Sequence, residues 1–140
     1  MTNISDEQLD ELVSIWLYSN IEAHSFIDNE YWHQNLLFVK ESLAGAEIYS
    51  YIDKNKIIGF IGLSNNYIAG LFVEKEYRGL GIGTQLLNAV KKEKTALSLA
   101  VYEKNIKAVK FYLSQNFEIQ NKQTDKNTNQ KELIMIWSQN

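Results

Sequence analysis

Apolar residues recur at helical spacing near the start of the chain, then change to strand-like runs and alternation, and this change of period divides the chain into elements. Ser5 and Gln8 form a possible capping box ahead of Leu9, Leu12, Val13, Trp16 and Leu17, which predict a helix running to about Ser19. Trp32, Leu36, Val39 and Leu43 share one side of a second helix, predicted over 29–43. Residues 46–52 and 57–63 read as a β-hairpin turning at Asp53-Lys54-Asn55, and another strand covers 67–73. Ile82, Leu86, Ala89 and Val90 mark the inner face of a third helix, which Lys91-Lys92-Glu93-Lys94 closes in keeping with the helix dipole. A strand over 96–101, a helix capped by Asn105, and a final hairpin of 117–123 and 131–137 follow, with a polar, mobile connection over 124–130. The fold class is α/β (α+β) with a hairpin-rich sheet.

Composition bounds this picture. With 140 residues, 45% of them apolar and 12% aromatic, the chain can hold one sizeable core, so a single domain over 1–140 is expected. No stretch reaches the roughly 18 continuous apolar residues of a membrane span, and Met1-Thr2-Asn3-Ile4-Ser5-Asp6 lacks the regions of a signal peptide, so no membrane partner and a cytoplasmic location are expected. The absence of cysteine excludes disulfides, zinc thiolates and a cysteine nucleophile. Acyl transfer, if present, then proceeds by direct attack of the acceptor, and no metal site is predicted. The formal charge of −3 argues against non-specific nucleic-acid binding but leaves an anionic ligand open. Monomer and homodimer are both compatible with the sequence.

The densest chemical signal is the run Arg78-Gly79-Leu80-Gly81-Ile82-Gly83-Thr84, between the strand ending Leu71-Phe72-Val73 and a helix. Alternating glycines let a backbone approach a ligand closely, and the helix start adds free N–H groups and the positive end of its dipole. This turn therefore suits a phosphate. A dinucleotide fingerprint requires G-x-G-x-x-G after the first strand of a βαβ unit, and a Walker loop requires Lys before Ser or Thr; neither pattern is met. A glycine-rich helix entry that binds nothing is the competing reading. Lys75, Arg78, Lys107 and Lys110 are cations near enough in sequence to meet phosphates, although each alone reads as a solvated helix face.

Arg78-Gly79-Leu80-Gly81-Ile82-Gly83 resembles the R/Q-x-x-G-x-G/A signature of the GNAT superfamily of N-acetyltransferases, and Asn105, Ala108, Phe111 and Tyr112 resemble its downstream N-x-x-A-x-x-F-Y pattern. The departure is Asn116, before Phe117, where the family has glycine; asparagine is the next best residue for a left-handed helix cap. The likeness is good over residues 30–120, whereas the family's first strand is short or missing here, since only Asn3-Ile4 precedes the capping box. The resemblance implies a mixed, mostly antiparallel sheet splayed at its centre and flanked by about four helices. It implies acetyl-CoA as acetyl donor, with Leu71, Phe72 and Val73 along the pantetheine arm, the Arg78 to Thr84 loop on the pyrophosphate, Asn105 near the pantetheine and Tyr112 near the thioester sulfur.

Transfer to an amine needs a neutral nucleophile, an N–H donor for the oxyanion and a proton or hydrogen bond for the leaving thiolate. Tyr112 suits the last task, and by resemblance a backbone N–H near Phe72 or Val73 suits the second. A base is harder to find, because Asn65 to Gly70 contains no carboxylate. Glu22, His24 and Glu103 are the remaining candidates; His24, followed by Phe26, resembles a His-x-Phe segment of small bacterial acetyltransferases and is taken as the candidate base or pocket wall. Trp16, His24, Phe26, Tyr31 and Trp32 suggest an aromatic acceptor pocket. The expected activity is acetyl transfer from acetyl-CoA to a small-molecule or protein amine. A non-catalytic acyl-CoA sensor is the alternative, and a nucleotide-binding protein a more distant one.

Overall fold

The computed structural model describes residues 4–139. Its elements run α1 (Asp6–Ala23), α2 (Asn29–Gln34), α3 (Leu36–Ala44), β1 (Glu47–Asp53), β2 (Lys56–Ser64), β3 (Tyr67–Val73), a 3₁₀ turn (Lys75–Tyr77), α4 (Ile82–Glu93), β4 (Ala96–Tyr102), α5 (Ile106–Ser114), β5 (Glu118–Asp125) and β6 (Gln130–Ser138). The strands form one mixed sheet in the order β1-β2-β3-β4-β6-β5, antiparallel everywhere except between β3 and β4. The first element among the described residues is α1. Of the Asn3-Ile4 segment, where the leading strand is expected to be short or missing, Asn3 lies outside them and Ile4 belongs to no strand.

The Ser5 capping box is present, with the Ser5 hydroxyl accepting from the Gln8 N–H and the Gln8 side chain accepting from the Ser5 N–H, both at 3.1 Å. The helix continues about one turn beyond Ser19, to Ala23, and within that turn Asn20 is buried and donates to the Trp16 carbonyl at 2.8 Å. The single helix expected over 29–43 is two. Asn35 breaks it, its side chain donating to the Tyr31 carbonyl at 2.7 Å while its own backbone leaves helical angles (φ −97°, ψ 2°). An asparagine that takes a backbone acceptor competes with helix continuation. The count is therefore five α-helices among the described residues rather than about four.

The β1–β2 hairpin turns on Lys54 and Asn55, both at positive φ (51° and 66°), the conformation that matches the twist of a two-residue hairpin. β2 is buried along its seven inner residues because both faces of the sheet are covered there. On one face Ile48, Ile57 and Phe60 meet Leu9, Leu12 and Ile15 of α1 and Leu43 of α3. On the other, Ile58, Ile61, Leu97, Leu99 and Met135 meet Leu86, Leu87 and Val90 of α4 and Tyr112 of α5. The last hairpin is longer than expected: the strands run to Asp125 and resume at Gln130, so most of the connection expected to be mobile is a tight turn closed by Asn129 (φ 60°).

Candidate active site

β3 and β4 pair only at Tyr67 with Ser98 and Ile68 with Leu99. The β2–β3 register shifts immediately afterwards, pairing Gly62 with Gly70 and Leu63 with Ile68, so Ala69 is the extra residue of a bulge. A bulge bends and twists its strand, and here it coincides with the point where β3 leaves β4. Leu71-Phe72-Val73 then run along an opening in the middle of the sheet. Phe72 folds back over Gly70, where an added Cβ would lie 2.4 Å from the ring, so any other residue there would displace the Phe72 side chain.

A cleft of about 560 Å³ fills the opening, bounded by the end of α1 and by α5. Leu71, Phe72 and Val73 form one wall, Asn105, Ala108, Phe111 and Tyr112 the other, and Arg78 and Gly83, the two ends of the glycine loop, line it as well. Gly79 (φ 80°) and Gly81 (φ 82°) are left-handed and meet nothing within 4 Å of an added Cβ, so backbone conformation rather than crowding calls for glycine there. Gly81 caps α4 with no side chain, which leaves the N–H groups of the first helical turn without a side-chain acceptor. An anion is the ligand these groups suit. Leu80 projects into solvent, Ile82 turns inward to pack near Gly59, and the Thr84 hydroxyl accepts from the Gln115 amide at 3.3 Å.

Arg78 is already engaged. Its Nε donates to the Val73 carbonyl at 2.9 Å, and its guanidinium pairs with Glu22 and reaches the Ser19 hydroxyl at 3.4 Å. The hydrogen bond from Arg78 is the main reason the Glu22 carboxyl lies below the usual range. Arg78 thus ties the loop and the end of β3 to α1. Lys75 also turns to Glu22, at 3.5 Å, whereas Lys107 lines the cleft.

Tyr112 is buried in the inner wall of α5, and burial pushes its phenol above the ordinary tyrosine range. Asn105 caps the same helix, its Oδ1 accepting from the Ala108 N–H at 3.3 Å. Its Nδ2 lies 3.1 Å from His24 Nε2. His24, at the C-terminus of α1, is buried and holds the Asn20 carbonyl with Nδ1 at 3.1 Å. Desolvation lowers its pKa to about 4, against a smaller opposing effect of that backbone hydrogen bond. At neutral pH the ring is uncharged, Nδ1 donating to Asn20 and Nε2 accepting from Asn105. Asn116 adopts φ 71°, the left-handed conformation expected of it, just beyond α5.

A second cavity of about 250 Å³ adjoins the first at the splay and shares His24, Leu71, Phe72, Asn105, Ala108 and Tyr112 with it. Trp16, Trp32, Tyr67 and Tyr102 supply aromatic wall, and Glu132 of β6 a carboxylate. Phe26 and Tyr31, also expected in an aromatic pocket, pack behind it against His24 and Trp32. Tyr102 donates to Asp125 Oδ2 at 2.6 Å. Burial first, then the charge of nearby Glu132, raises the pKa of Tyr67. Among the described residues, neither Asp125 nor Glu132 has a cation within ion-pair distance. Glu103 pairs with Lys122 at 2.6 Å instead of facing the splay. Tyr102, Asp125 and Glu132 escape sequence reasoning because only strand register unites them: Tyr102 lies opposite Glu132, and Asp125 opposite Gln130.

A central sheet splayed over a largely apolar channel, with an uncapped helix start at one end and a buried phenol on its wall, has the shape and polarity to take a thioester of a phosphorylated carrier, as an acyltransferase requires. Residues 4–130 match the family described as "Acetyltransferase (GNAT) domain", and the chain belongs to that family. It is 30% identical to the peptidyl-lysine N-acetyltransferase YiaC of Escherichia coli over 132 residues, 93% of this chain and 90% of that protein. The solution structure of apo YjaB from Escherichia coli superposes with a TM-score of 0.82 at 27% identity, covering 94% of this chain and 91% of the other. A Bacillus anthracis protein of the streptothricin acetyltransferase type, solved with acetyl coenzyme A, gives a TM-score of 0.62 at 26% identity, over 68% of this chain and 64% of its own. The protein is accordingly an acetyl-CoA-dependent N-acetyltransferase with an amine acceptor.

Proposed function

We propose that the acceptor is the side-chain amine of a protein lysine, admitted through the second cavity, with Tyr112 serving the leaving sulfur. The observation that carries this reading is Glu132, a carboxylate in the wall of an aromatic passage that meets the donor cleft at Tyr112, with a second carboxylate, Asp125, held by the Tyr102 hydroxyl of that wall; among the described residues neither is paired with a cation. Carboxylates attract an ammonium, and aromatic walls suit both a cation and its methylene stem. The names of YiaC and of a YjaB relative, both peptidyl-lysine N-acetyltransferases, support the same class of acceptor.

The acceptor must lose a proton before it attacks. A lysine amine with pKa about 10.4 is neutral in only about one molecule in a few thousand at pH 7, whereas an α-amine near 7.7 to 8.0 is neutral in about one in ten. Passage from the carboxylates to the Trp16 and Trp32 walls favours the uncharged amine by desolvation. Its lone pair then forms the C–N bond, the C–S electron pair returns to sulfur, and the proton shed by nitrogen balances the thiol. Tyr112, held protonated by burial, donates a hydrogen bond to that sulfur. Full transfer from a phenol above 10 to a thiolate near 8.5 is uphill by about 2 kcal/mol or more, so the hydrogen bond is the main contribution. Backbone N–H groups of Phe72 or Val73 serve the oxyanion in this reading.

A panel of lysine peptides, α-amine peptides and small amines, with acetyl-CoA and free-thiol detection, tests the acceptor. Lysine peptides should release thiol fastest, with the mass of one acetyl group gained on the side chain. Loss of this hydrogen-bond donor in Tyr112→Phe should lower turnover by on the order of a hundredfold, with little change in coenzyme A affinity. Preference for small amines would refute the acceptor class, and tight cofactor binding without thiol release across the panel would favour a sensor. Undiminished turnover in Tyr112→Phe, measured where acetyl transfer is rate-limiting, would return Tyr112 to the core.

A further inference from the structure

His24 is built into the molecule as few surface histidines are. Trp32 stacks on it at 5.3 Å between centroids, and the edges of Phe26 and Tyr102 close it in at 5.5 and 5.1 Å. Both ring nitrogens have partners, Asn20 O and Asn105 Nδ2, each at 3.1 Å. Since a carbonyl can only accept, Nδ1 carries the proton and Nε2 presents its lone pair to the Asn105 amide. The amide then has one orientation that satisfies every contact: nitrogen to His24, oxygen to the Ala108 N–H at the start of α5. Turning it over would set its oxygen against the Nε2 lone pair and its NH₂ against the Ala108 N–H.

We infer that His24 is a positioning residue: its neutral, Nδ1-protonated ring fixes the Asn105 amide, and with it the α5 wall that carries Tyr112, across the two cavities. The same geometry removes it from proton transfer, because its single lone pair is occupied by Asn105. The titratable side chain packed on the ring is Tyr102, whose hydroxyl is turned to Asp125 and away from the imidazole exchange. This assignment rests on the cleft being the acetyl-CoA site insofar as the amide's effect is read there, although the tautomer itself does not.

Three measurements on the full chain test it: NMR, calorimetry and the pH–rate profile. Long-range ¹H–¹⁵N NMR of the free protein should show a protonated Nδ1 and a bare Nε2 for His24, unchanged between pH 7 and 5. The opposite tautomer, or titration near pH 6.5, would overturn the inference whether or not any variant folds. Calorimetry with acetyl-CoA should then show His24→Phe weakening binding by about fivefold, the scale of one hydrogen bond, and having no further effect in an Asn105→Ala background. His24→Gln, whose Oε1 can stand in for Nε2, should restore most of the loss. A structural ring would give additive losses and no rescue, and a base would give loss of the rising limb of the pH–rate profile; either result overturns the assignment. Failure of the wild-type protein to bind acetyl-CoA would instead refute the assignment of the cleft.

Discussion

Acidification should destabilise this protein through His24 more than through an ordinary histidine. Its pKa is about 4 in the folded protein, lowered by desolvation, against about 6.5 in an unfolded chain. Below pH 6.5 the unfolded chain therefore takes up a proton at position 24 that the folded protein refuses until pH about 4. Stability from this residue is fully present above pH 6.5, falls as pH drops through the window, and levels off below pH about 4. Integrated between pH 7 and 5, that difference is about 2 kcal/mol, a large share of a typical folding free energy. Urea unfolding of wild type and His24→Gln at both pH values is the assay, because subtracting the two pH dependences cancels the other titrating groups. The variant should be less stable at pH 7 but should lose about 2 kcal/mol less on acidification. Equal losses in the two proteins would refute the claim that His24 is held neutral by its surroundings.

The glycine loop gives a second expectation: Gly81→Val forces a β-branched residue to φ 82° and should cost at least about 1–2 kcal/mol in stability, with coenzyme A affinity falling in calorimetry. Unchanged affinity in the folded variant would remove the loop from cofactor binding. Gly83 differs, because an added Cβ lies 3.5 Å from Phe111 Cζ in ordinary contact: Gly83→Ala should be tolerated, whereas Gly83→Val should push on α5 and lower the melting temperature. On the acceptor side, Glu132→Gln should raise KM for a lysine peptide a few-fold at low ionic strength, a difference that shrinks in high salt. A salt-independent effect would speak for packing rather than charge.

How much was legible in the sequence follows from the range of each interaction. The Ser5 capping box, the Lys54-Asn55 hairpin turn, the glycine loop and the left-handed Asn116 are each specified by a few consecutive residues, because caps and turns are satisfied within about one turn of chain. The candidate cofactor residues were legible for the same reason: the glycine loop proposed for the pyrophosphate is contiguous, and Asn105 caps the short helix that holds Tyr112. The break at Asn35 was hidden, since an apolar period alone does not reveal that the side chain will take the Tyr31 carbonyl. The meeting of Asp125, Glu132 and Tyr102 depends on strand register, and Arg78 finds Glu22 only because α1 crosses the sheet beside β3. His24 is the clearest case. Its residue type suggested a base, whereas the inferred arrangement, with desolvation by residues from α2 and β4 and an amide 81 positions away, holds it neutral with its lone pair occupied. Residue type sets which chemistry is available, and only tertiary packing decides which protonation state and which partner each group has.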